Sequence, residues 1–302
     1  MPLFNDHTRE FVAGTAGGWA QVVVGHPFDT LKVRLQTQAH PPRFHNGMDC
    51  LRVTLKEEGP RGLYKGVMSP LAGIGICNAV LFTANGYFRS MLRERRPEHE
   101  CSRPFTVREL MLAGGLSGLA MALVNCPVEL LKVKLQVQFG SAPAHGPDGK
   151  AIRPYAGVID CGVRSFQESG LRGLYRGIVP TFLRDFPSFA AYFGSYELLK
   201  RRLSTDGSGE VGPLGMIFAG GTSGVLCWLV CWPQDVIKSR MQSDPSYRST
   251  MECVRSLIRQ NGGNIASYFK GFGPTMARAF PANAATFLAY EYAMGWMRGA
   301  YE

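Results

Sequence analysis

An eleven-residue pattern occurs three times in this chain, about 100 residues apart, and it constrains the fold more than any other feature. Each copy has a proline, an acid two residues later, a base five residues later and a glutamine nine residues later. The copies begin at His26, Cys126 and Trp232. An internal repeat of this length predicts three similar structural units. We place their boundaries at 1–100, 101–206 and 207–302.

The acid and the base of each copy lie three residues apart, so on a helix they share one face near a proline kink. Separate surface ion pairs are one explanation, each contributing a few tenths of a kcal/mol, but they would not require proline and glutamine at fixed offsets. In a threefold arrangement the acid of one unit would meet the base of the next. The predicted pairs are Asp29–Lys132, Glu129–Lys238 and Asp235–Lys32, with Gln36, Gln136 and Gln242 as braces.

The composition permits a membrane protein, although hydropathy alone argues weakly against one. Apolar residues make up 45% of the chain, yet no run of 18 wholly apolar residues stands out. The repeat argues the other way, because charges inside a membrane face a wet interior and are usually functional. The net charge of +10 comes from bases spread over all units, which fits an anionic bilayer better than nucleic acid.

The sequence contains no pattern that indicates an enzyme or a metal site. The eight cysteines include no CxxC pair, and the six histidines include no HExxH motif. A P-loop and a nucleophile elbow are also missing. We therefore expect neither catalysis nor a metal nor a catalytic cofactor, with a soluble enzyme as the alternative class.

The triple P-x-[D/E]-x-x-[K/R] motif resembles the signature of the mitochondrial carrier family (solute carrier family 25), and the resemblance covers nearly the whole chain. It implies an all-α membrane protein with six transmembrane helices in three pseudo-threefold repeats and short amphipathic helices on the matrix side. It also implies a multi-pass protein of the mitochondrial inner membrane that acts as a monomer. In the family, the repeated motif forms the matrix gate.

Within each unit, the sequence predicts a long helix, a loop, a short amphipathic helix and a second long helix. Small residues at GxxxG spacing open the first long helix of each unit, which favours close helix packing in lipid. They are Gly14 and Gly18, Gly114 and Gly118, and Gly220 and Gly224. The short helices are expected at Asp49–Glu58, Asp160–Glu168 and Met251–Gln260, each followed by glycine. The longest loop, Gly140–Pro154, is predicted to be a surface insertion.

An aromatic residue, a base and a glycine precede each second long helix. Free backbone N–H groups at a helix N-terminus, with a basic side chain beside them, form an anion site. The family resemblance implies that these sites hold cardiolipin phosphates, and a simple interfacial anchor is the alternative. The expected lipid-phosphate residues are Lys65, Gly66, Arg176, Gly177, Lys270 and Gly271.

A small solute lacks threefold symmetry, so its binding residues should break the symmetry of the repeats. We aligned the second long helices on Gly66, Gly177 and Gly271 and compared equivalent positions. Two arginines and one aspartate occupy one level of these helices, where an unpaired charge costs at least ~2.5 kcal/mol at mid-bilayer. An internal ion pair is the alternative, although adjacent residues point about 100° apart on a helix. The predicted substrate-binding residues are Arg184, Asp185, Arg278, Cys77 and Asn78.

The guanidinium of Arg278 suits a carboxylate, Arg184 can share it, and Asp185 suits an ammonium group. Arg184-Asp185 and the segment from Arg278 to Asn283 resemble the carnitine/acylcarnitine, ornithine and amino-acid branch of the family. Ornithine-type carriers have an acid where this chain has Cys77. We therefore predict exchange of small zwitterionic amino acids or close analogues. Carnitine/acylcarnitine and basic amino acids (ornithine, arginine, lysine) are the alternatives.

The family's second charge motif, [F/Y]-[D/E]-x-x-[K/R], which forms its cytoplasmic gate, is incomplete here. Gly86 replaces an acid and Met294 replaces a base. Two links therefore remain possible at this gate, against three at the matrix gate, which predicts a bias toward the matrix-closed state. The expected cytoplasmic-gate residues are Arg89, Glu197, Lys200 and Glu291.

Overall fold

Six long helices and three shorter ones make up most of the computed structural model, which describes residues 6–38, 42–97, 100, 103–138, 144–145, 151–204, 212–261 and 269–299. The long helices contain between 26 and 32 residues. In chain order the helices are α1 (Asp6–Thr37), α2 (Gly47–Glu58), α3 (Met68–Glu94), α4 (Val107–Val137), α5 (Val158–Leu174), α6 (Ile178–Leu203), α7 (Pro213–Ser243), α8 (Thr250–Asn261) and α9 (Phe272–Gly299). A short 3₁₀ helix, Pro60–Tyr64, precedes α3.

The motif prolines lie inside the first long helix of each repeat, as predicted: Pro27 in α1, Pro127 in α4 and Pro233 in α7. An internal proline removes one backbone hydrogen bond and kinks the helix. The kink lies next to the motif acid and base. Each of these helices can therefore bend at the position where its charges lie.

The three predicted amphipathic segments are confirmed as α2, α5 and α8. Gly59 ends α2 with a φ of 68°, and Gly170 has a φ of 59° and interrupts the last part of α5. Glycine adopts this left-handed conformation without steric cost, which explains the stop. The stop expected at Gly262 or Gly263 lies outside the described residues.

The long helices pack side by side around a central cavity. Helix α1 packs on α9, α3 on α4, α4 on α6, and α6 on α7. The predicted close packing at GxxxG is present in the second repeat, where a Cβ on Gly114 or Gly118 would lie less than 3 Å from atoms of α6. The prediction of close packing is wrong for the third repeat, because nothing in the described structure lies within 4 Å of a Cβ on Gly220 or Gly224.

The second long helix of each repeat begins against the first long helix of another repeat. Gly66 and Gly271 have φ values of 80° and 83°. A Cβ on Gly66 would lie 3.0 Å from the backbone oxygen of Lys132, and one on Gly271 would lie 3.0 Å from that of Lys32. Glycine is therefore required for conformation and for space, and these contacts fix α3 and α9 next to the charged motifs.

Two segments, Pro60–Glu94 and Val107–Val137, are long and apolar enough to cross a membrane by length and composition.

In the insertion between α4 and α5, two short strands, β1 (Ala144–His145) and β2 (Ala151–Ile152), pair antiparallel.

Candidate functional site

The three motifs come together at one end of the cavity. The structure pairs Lys132 with Asp29 at 2.5 Å between Nζ and Oδ2, and Lys32 with Asp235 at 2.7 Å. The third pair joins Lys238 and Glu129. Each pair joins two different repeats, in the combinations expected from the sequence. We call these six residues the charge ring.

Of the three glutamines predicted to brace the ring, only Gln36 contacts it. Its Nε2 donates to Asp235 Oδ2 at 3.1 Å. Gln136 instead donates to the Thr30 hydroxyl at 3.0 Å and lies 3.3 Å from the His26 ring, because these polar groups are nearer than the ring. The side-chain amide of Gln242 makes no hydrogen bond to any described residue. The expectation of three braces is therefore wrong for two of them.

Arg184 lies against the charge ring and is held by three carboxylates. Its guanidinium donates to both Glu129 oxygens at 3.0 and 3.2 Å and lies 3.3 Å from Asp235. Its Nε also donates to Asp185 at 2.6 Å. The sequence disfavoured an ion pair between the adjacent residues Arg184 and Asp185, but the structure contains it. Although the two Cα–Cβ directions diverge, the arginine side chain is long enough to bend back to its neighbour.

Arg278 is less constrained than Arg184. Its Nε lies 3.3 Å from Asp29 Oδ1, an ion-pair distance without hydrogen-bond geometry. Its side chain is 25% exposed, against 11% for Arg184. Within the described structure, the guanidinium of Arg278 makes no hydrogen bond, so its outer edge is available to a ligand.

Asp185 lies at the same level of the cavity, on α6. The residue is 2% exposed and its Oδ1 accepts the bond from Arg184. Its Oδ2 accepts no hydrogen bond from the described residues. A buried carboxylate oxygen without a donor is costly, and an ammonium group would satisfy it.

The cavity above the ring has a volume of about 750 Å³. Nine charged residues line it, five bases and four acids. Every one of these acids already contacts at least one of the bases. Counted over the described residues, the cavity therefore carries one surplus positive charge and offers no free acid for a second ammonium group on a ligand.

The two remaining predicted substrate residues, Asn78 and Cys77, occupy different environments in the structure. Asn78 lines the cavity, but Cys77 is 5% exposed and its Sγ lies 3.8 Å from Asn125 Oδ1, so it faces α4 instead. The cysteines that line the cavity are Cys227 and Cys231 on α7. The sequence contained a signal for them, because they precede the motif acid Asp235 by eight and four residues and so share its helix face.

Aromatic side chains form much of the cavity wall. They are Phe82, Phe189, Tyr192, Phe193, Tyr196 and Trp228. Aromatic faces attract alkylated ammonium groups through cation–π interactions, and they also accept apolar chains. Position-by-position comparison of charges did not identify them, because aromatic residues occur throughout the chain.

The residues of the predicted second gate are not paired with each other. Glu197 pairs with Arg201, one turn along the same helix, at 2.7 Å. The guanidinium of Arg89 lies 6.0 Å from the centroid of the Phe193 ring. Lys200 and Glu291 make no ion pair among the described residues. The ring at one end of the cavity is thus closed while the links expected at the other end are absent.

Two of the three bases expected to bind lipid phosphate contact the protein instead. Lys65 donates to the Gln138 carbonyl at 2.8 Å and pairs with Glu58 at 3.1 Å. Arg176 donates to three backbone carbonyls, those of Met241, Asp244 and Tyr247. Lys270 has no such contact within the described part of the chain. Lys65 uses two of the three N–H donors of its ammonium group in its contacts, and Arg176 uses Nε and Nη2 of its guanidinium.

A second cavity of about 250 Å³ lies between Gly66, at the start of α3, and Gly157, at the start of α5. Two helix N-termini from different repeats thus border one pocket. Tyr155 also borders it, and burial raises the pKa of its phenol to about 12, so it stays neutral. The pocket fits an anion held by helix N-termini.

Three helical repeats around a polar cavity, with charges closing one end, define a membrane transporter of small solutes. The family model "Mitochondrial carrier protein" matches residues 5–96, 103–207 and 209–301, and the chain belongs to this family. It is therefore a transporter of the mitochondrial inner membrane and not an enzyme. Among the described residues there is no cluster of three or more metal-ligating side chains.

Two groups of relatives, named as carnitine/acylcarnitine carriers and as basic amino acids transporters, align over almost the whole chain. A mitochondrial carnitine/acylcarnitine carrier-like protein of Arabidopsis thaliana is 41% identical, covering 95% of this chain and 97% of the relative. The mitochondrial basic amino acids transporter of Rattus norvegicus is 38% identical, covering 96% and 90%. The human mitochondrial carnitine/acylcarnitine carrier protein is 39% identical, covering 97% and 95%.

Proposed function

We propose that this carrier exchanges small zwitterions, each with one carboxylate and one ammonium group, across the inner membrane by alternating access. The observation that carries the proposal is that two groups of opposite charge, each open to a ligand, lie at one level of the cavity. Among the described residues, the guanidinium of Arg278 makes no hydrogen bond and Asp185 Oδ2 accepts none. The first fits the substrate carboxylate, and the second fits its ammonium group.

Substrate binding would also weaken the charge ring. Arg278 lies against Asp29 and Arg184 against Glu129, and both acids belong to ring pairs. A substrate carboxylate that attracts the two guanidinium groups competes with these acids. The ring then loses part of its stabilisation when the site is filled, which is the coupling that alternating access requires.

We assign the charge ring to the matrix gate and Arg89, Glu197, Lys200 and Glu291 to the cytoplasmic gate. In this assignment the structure represents a matrix-closed state, with its cavity accessible from the intermembrane side. The long helices α1, α3, α4, α6, α7 and α9 cross the membrane, and α2, α5 and α8 lie at the matrix surface.

Among substrates, neutral and acidic amino acids rank above lysine, ornithine and arginine. The reason is the surplus positive charge of the cavity and the lack of a free acid for a second ammonium group. This ranking does not depend on Cys77, which is not among the residues that line the cavity. Carnitine and acylcarnitines are a second candidate, because the aromatic wall suits a trimethylammonium group and an acyl chain. Both kinds of relative named above are compatible with a carboxylate at Arg278.

We also propose that the pocket between Gly66 and Gly157 holds a lipid phosphate, with cardiolipin as the source. Backbone N–H groups of two helix N-termini supply the hydrogen bonds, since Lys65 is already engaged. A lipid at this position would link the first and second repeats of a single monomer.

Exchange in reconstituted liposomes tests the binding assignment. Arg278→Ala should abolish exchange of every carboxylate-bearing substrate. Asp185→Asn should slow exchange of zwitterions but spare any simple acid that is carried. The matched control is Arg202→Ala, which removes an exposed arginine at the end of α6. Near-normal exchange by Arg278→Ala would reject the proposed site.

A further inference from the structure

The guanidinium of Arg278 passes directly over Gly25 of helix α1. A Cβ built on Gly25 would lie 2.5 Å from Arg278 Nε and 3.3 Å from both Cζ and Nη2. No side chain fits there while Arg278 keeps its position. Asp29, the partner of Arg278, lies one turn further along the same face of α1.

The backbone gives no reason for glycine at this position. Gly25 lies inside a helix, where glycine is less favourable than alanine, and it is not one of the glycines with positive φ. The equivalent positions, two residues before the motif proline, are Asn125 and Cys231 in the other repeats. Both are in helices, so the fold accepts a side chain at this level.

Arg184 and Arg278 occupy equivalent positions, seven residues after Gly177 and Gly271, and Arg278 is the one of the two that passes over a glycine. Arg278 is on α9, which packs on α1, and it is the arginine with a free edge toward the cavity. We propose that Gly25 is a positioning residue: its missing side chain lets the Arg278 guanidinium lie across α1 beside Asp29, where it meets the substrate carboxylate. This inference rests on the proposed carboxylate-binding role of Arg278.

The variant Gly25→Ala tests it. The atoms that the added methyl meets belong to the end of a flexible side chain, so the helix accepts the methyl and Arg278 moves. We expect the KM for L-carnitine or L-alanine, whichever the wild type exchanges faster, to rise at least tenfold, with a smaller change in maximal rate. Gly14→Ala is the matched control on α1, because its Cβ meets nothing within 4 Å, and its KM should be unchanged.

A second measurement separates loss of carboxylate binding from general damage. Choline shares the trimethylammonium group of carnitine and lacks a carboxylate. Inhibition of exchange by carnitine should weaken in Gly25→Ala, whereas inhibition by choline should match the wild type. Equal weakening of both inhibitors would overturn the inference, as would a KM equal to that of Gly14→Ala.

The double variant covers the case in which Gly25→Ala is poorly folded. Lysine at position 278 keeps a carbon in the place of Nε but lacks the branched, planar end of the guanidinium, so it bends away from an added methyl more easily. Gly25→Ala should therefore raise the KM clearly less in an Arg278→Lys background, and the same loss in both backgrounds would contradict a role through Arg278. If Arg278→Ala exchanges carboxylates normally, the proposed function fails; if only Gly25→Ala behaves normally, the inference alone fails.

Discussion

Removal of the Lys132 ammonium should be the most damaging single change in the charge ring. Without it, Asp29 keeps only Arg278, at 3.3 Å and without hydrogen-bond geometry. Asp235 would still have Arg184 and Gln36 if Lys32 were removed. The pair between Lys132 and Asp29 is therefore the link with the least support from its neighbours.

The expected effect of Lys132→Ala on the matrix-closed state is a loss of about 2 kcal/mol. Breaking a fully buried ion pair costs roughly 3–5 kcal/mol, because the remaining charge is left without a partner. The value is lower here because Arg278 stays near Asp29 and the two side chains are 17% and 15% exposed. A loss of about 2 kcal/mol lowers the relative population of the closed state about 30-fold.

Liposome exchange at saturating substrate measures this effect. The rate of Lys132→Ala should fall by up to about 30-fold, and Lys32→Ala should lose clearly less. Exchange by Lys132→Ala within twofold of the wild type would refute the reasoning. The combined change Asp29→Lys with Lys132→Asp should recover part of the rate, because it restores the pair. Recovery should be incomplete, since the lysine introduced at position 29 lies near Arg278.

Two further predictions concern the ring and the access to the cavity. Gln36→Ala removes the hydrogen bond to Asp235 and should slow exchange about fivefold, which corresponds to a loss of about 1 kcal/mol. Gln242→Ala removes a side chain that has no hydrogen bond to the described residues, so its effect on the exchange rate should be smaller. A membrane-impermeant thiol reagent added from the intermembrane side should label Cys227, which lines the cavity, and substrate should slow the labelling. Cys77, at 5% exposed, should stay unlabelled, and Cys227→Ser supplies the background. Labelling of Cys227 from the matrix side alone would reverse the assigned state.

The repeat in the sequence was sufficient to predict which residues pair between repeats. Asp29 with Lys132 follows from a threefold arrangement of one motif, because the same spacing fixes the same helix face in every copy. The short amphipathic helices and the glycine stops at Gly59 and Gly170 were equally predictable, since periodicity and φ preference are local properties.

Side-chain contacts outside the repeat pattern could not be predicted in this way. Gln136 bonds to Thr30, although Gln36 braces the ring from the equivalent position. Arg184 reaches both its neighbour Asp185 and the ring, because a long side chain is not limited by the direction of its Cα–Cβ bond. These outcomes depend on the competing partners within reach, and that depends on the packed structure.

The position of Cys77 shows a different limit. Its place in the aligned helices indicated a cavity residue, but helix α3 is turned so that this side chain faces Asn125. Rotation of a helix by one residue moves a side chain by about 100°. Sequence alignment between repeats thus identified the level of the site more reliably than the residues that face it.

The relative exchange rates of a solute panel test the central proposal most directly. Wild-type carrier in liposomes should be offered L-alanine, L-glutamate, L-carnitine, L-ornithine and malate as counter-substrates. We predict that the zwitterions with a single ammonium group exchange fastest, because the described residues of the cavity carry one surplus positive charge and offer no free acid for a second ammonium group. Ornithine as the fastest counter-substrate would contradict the account and would require a further negative group in the cavity.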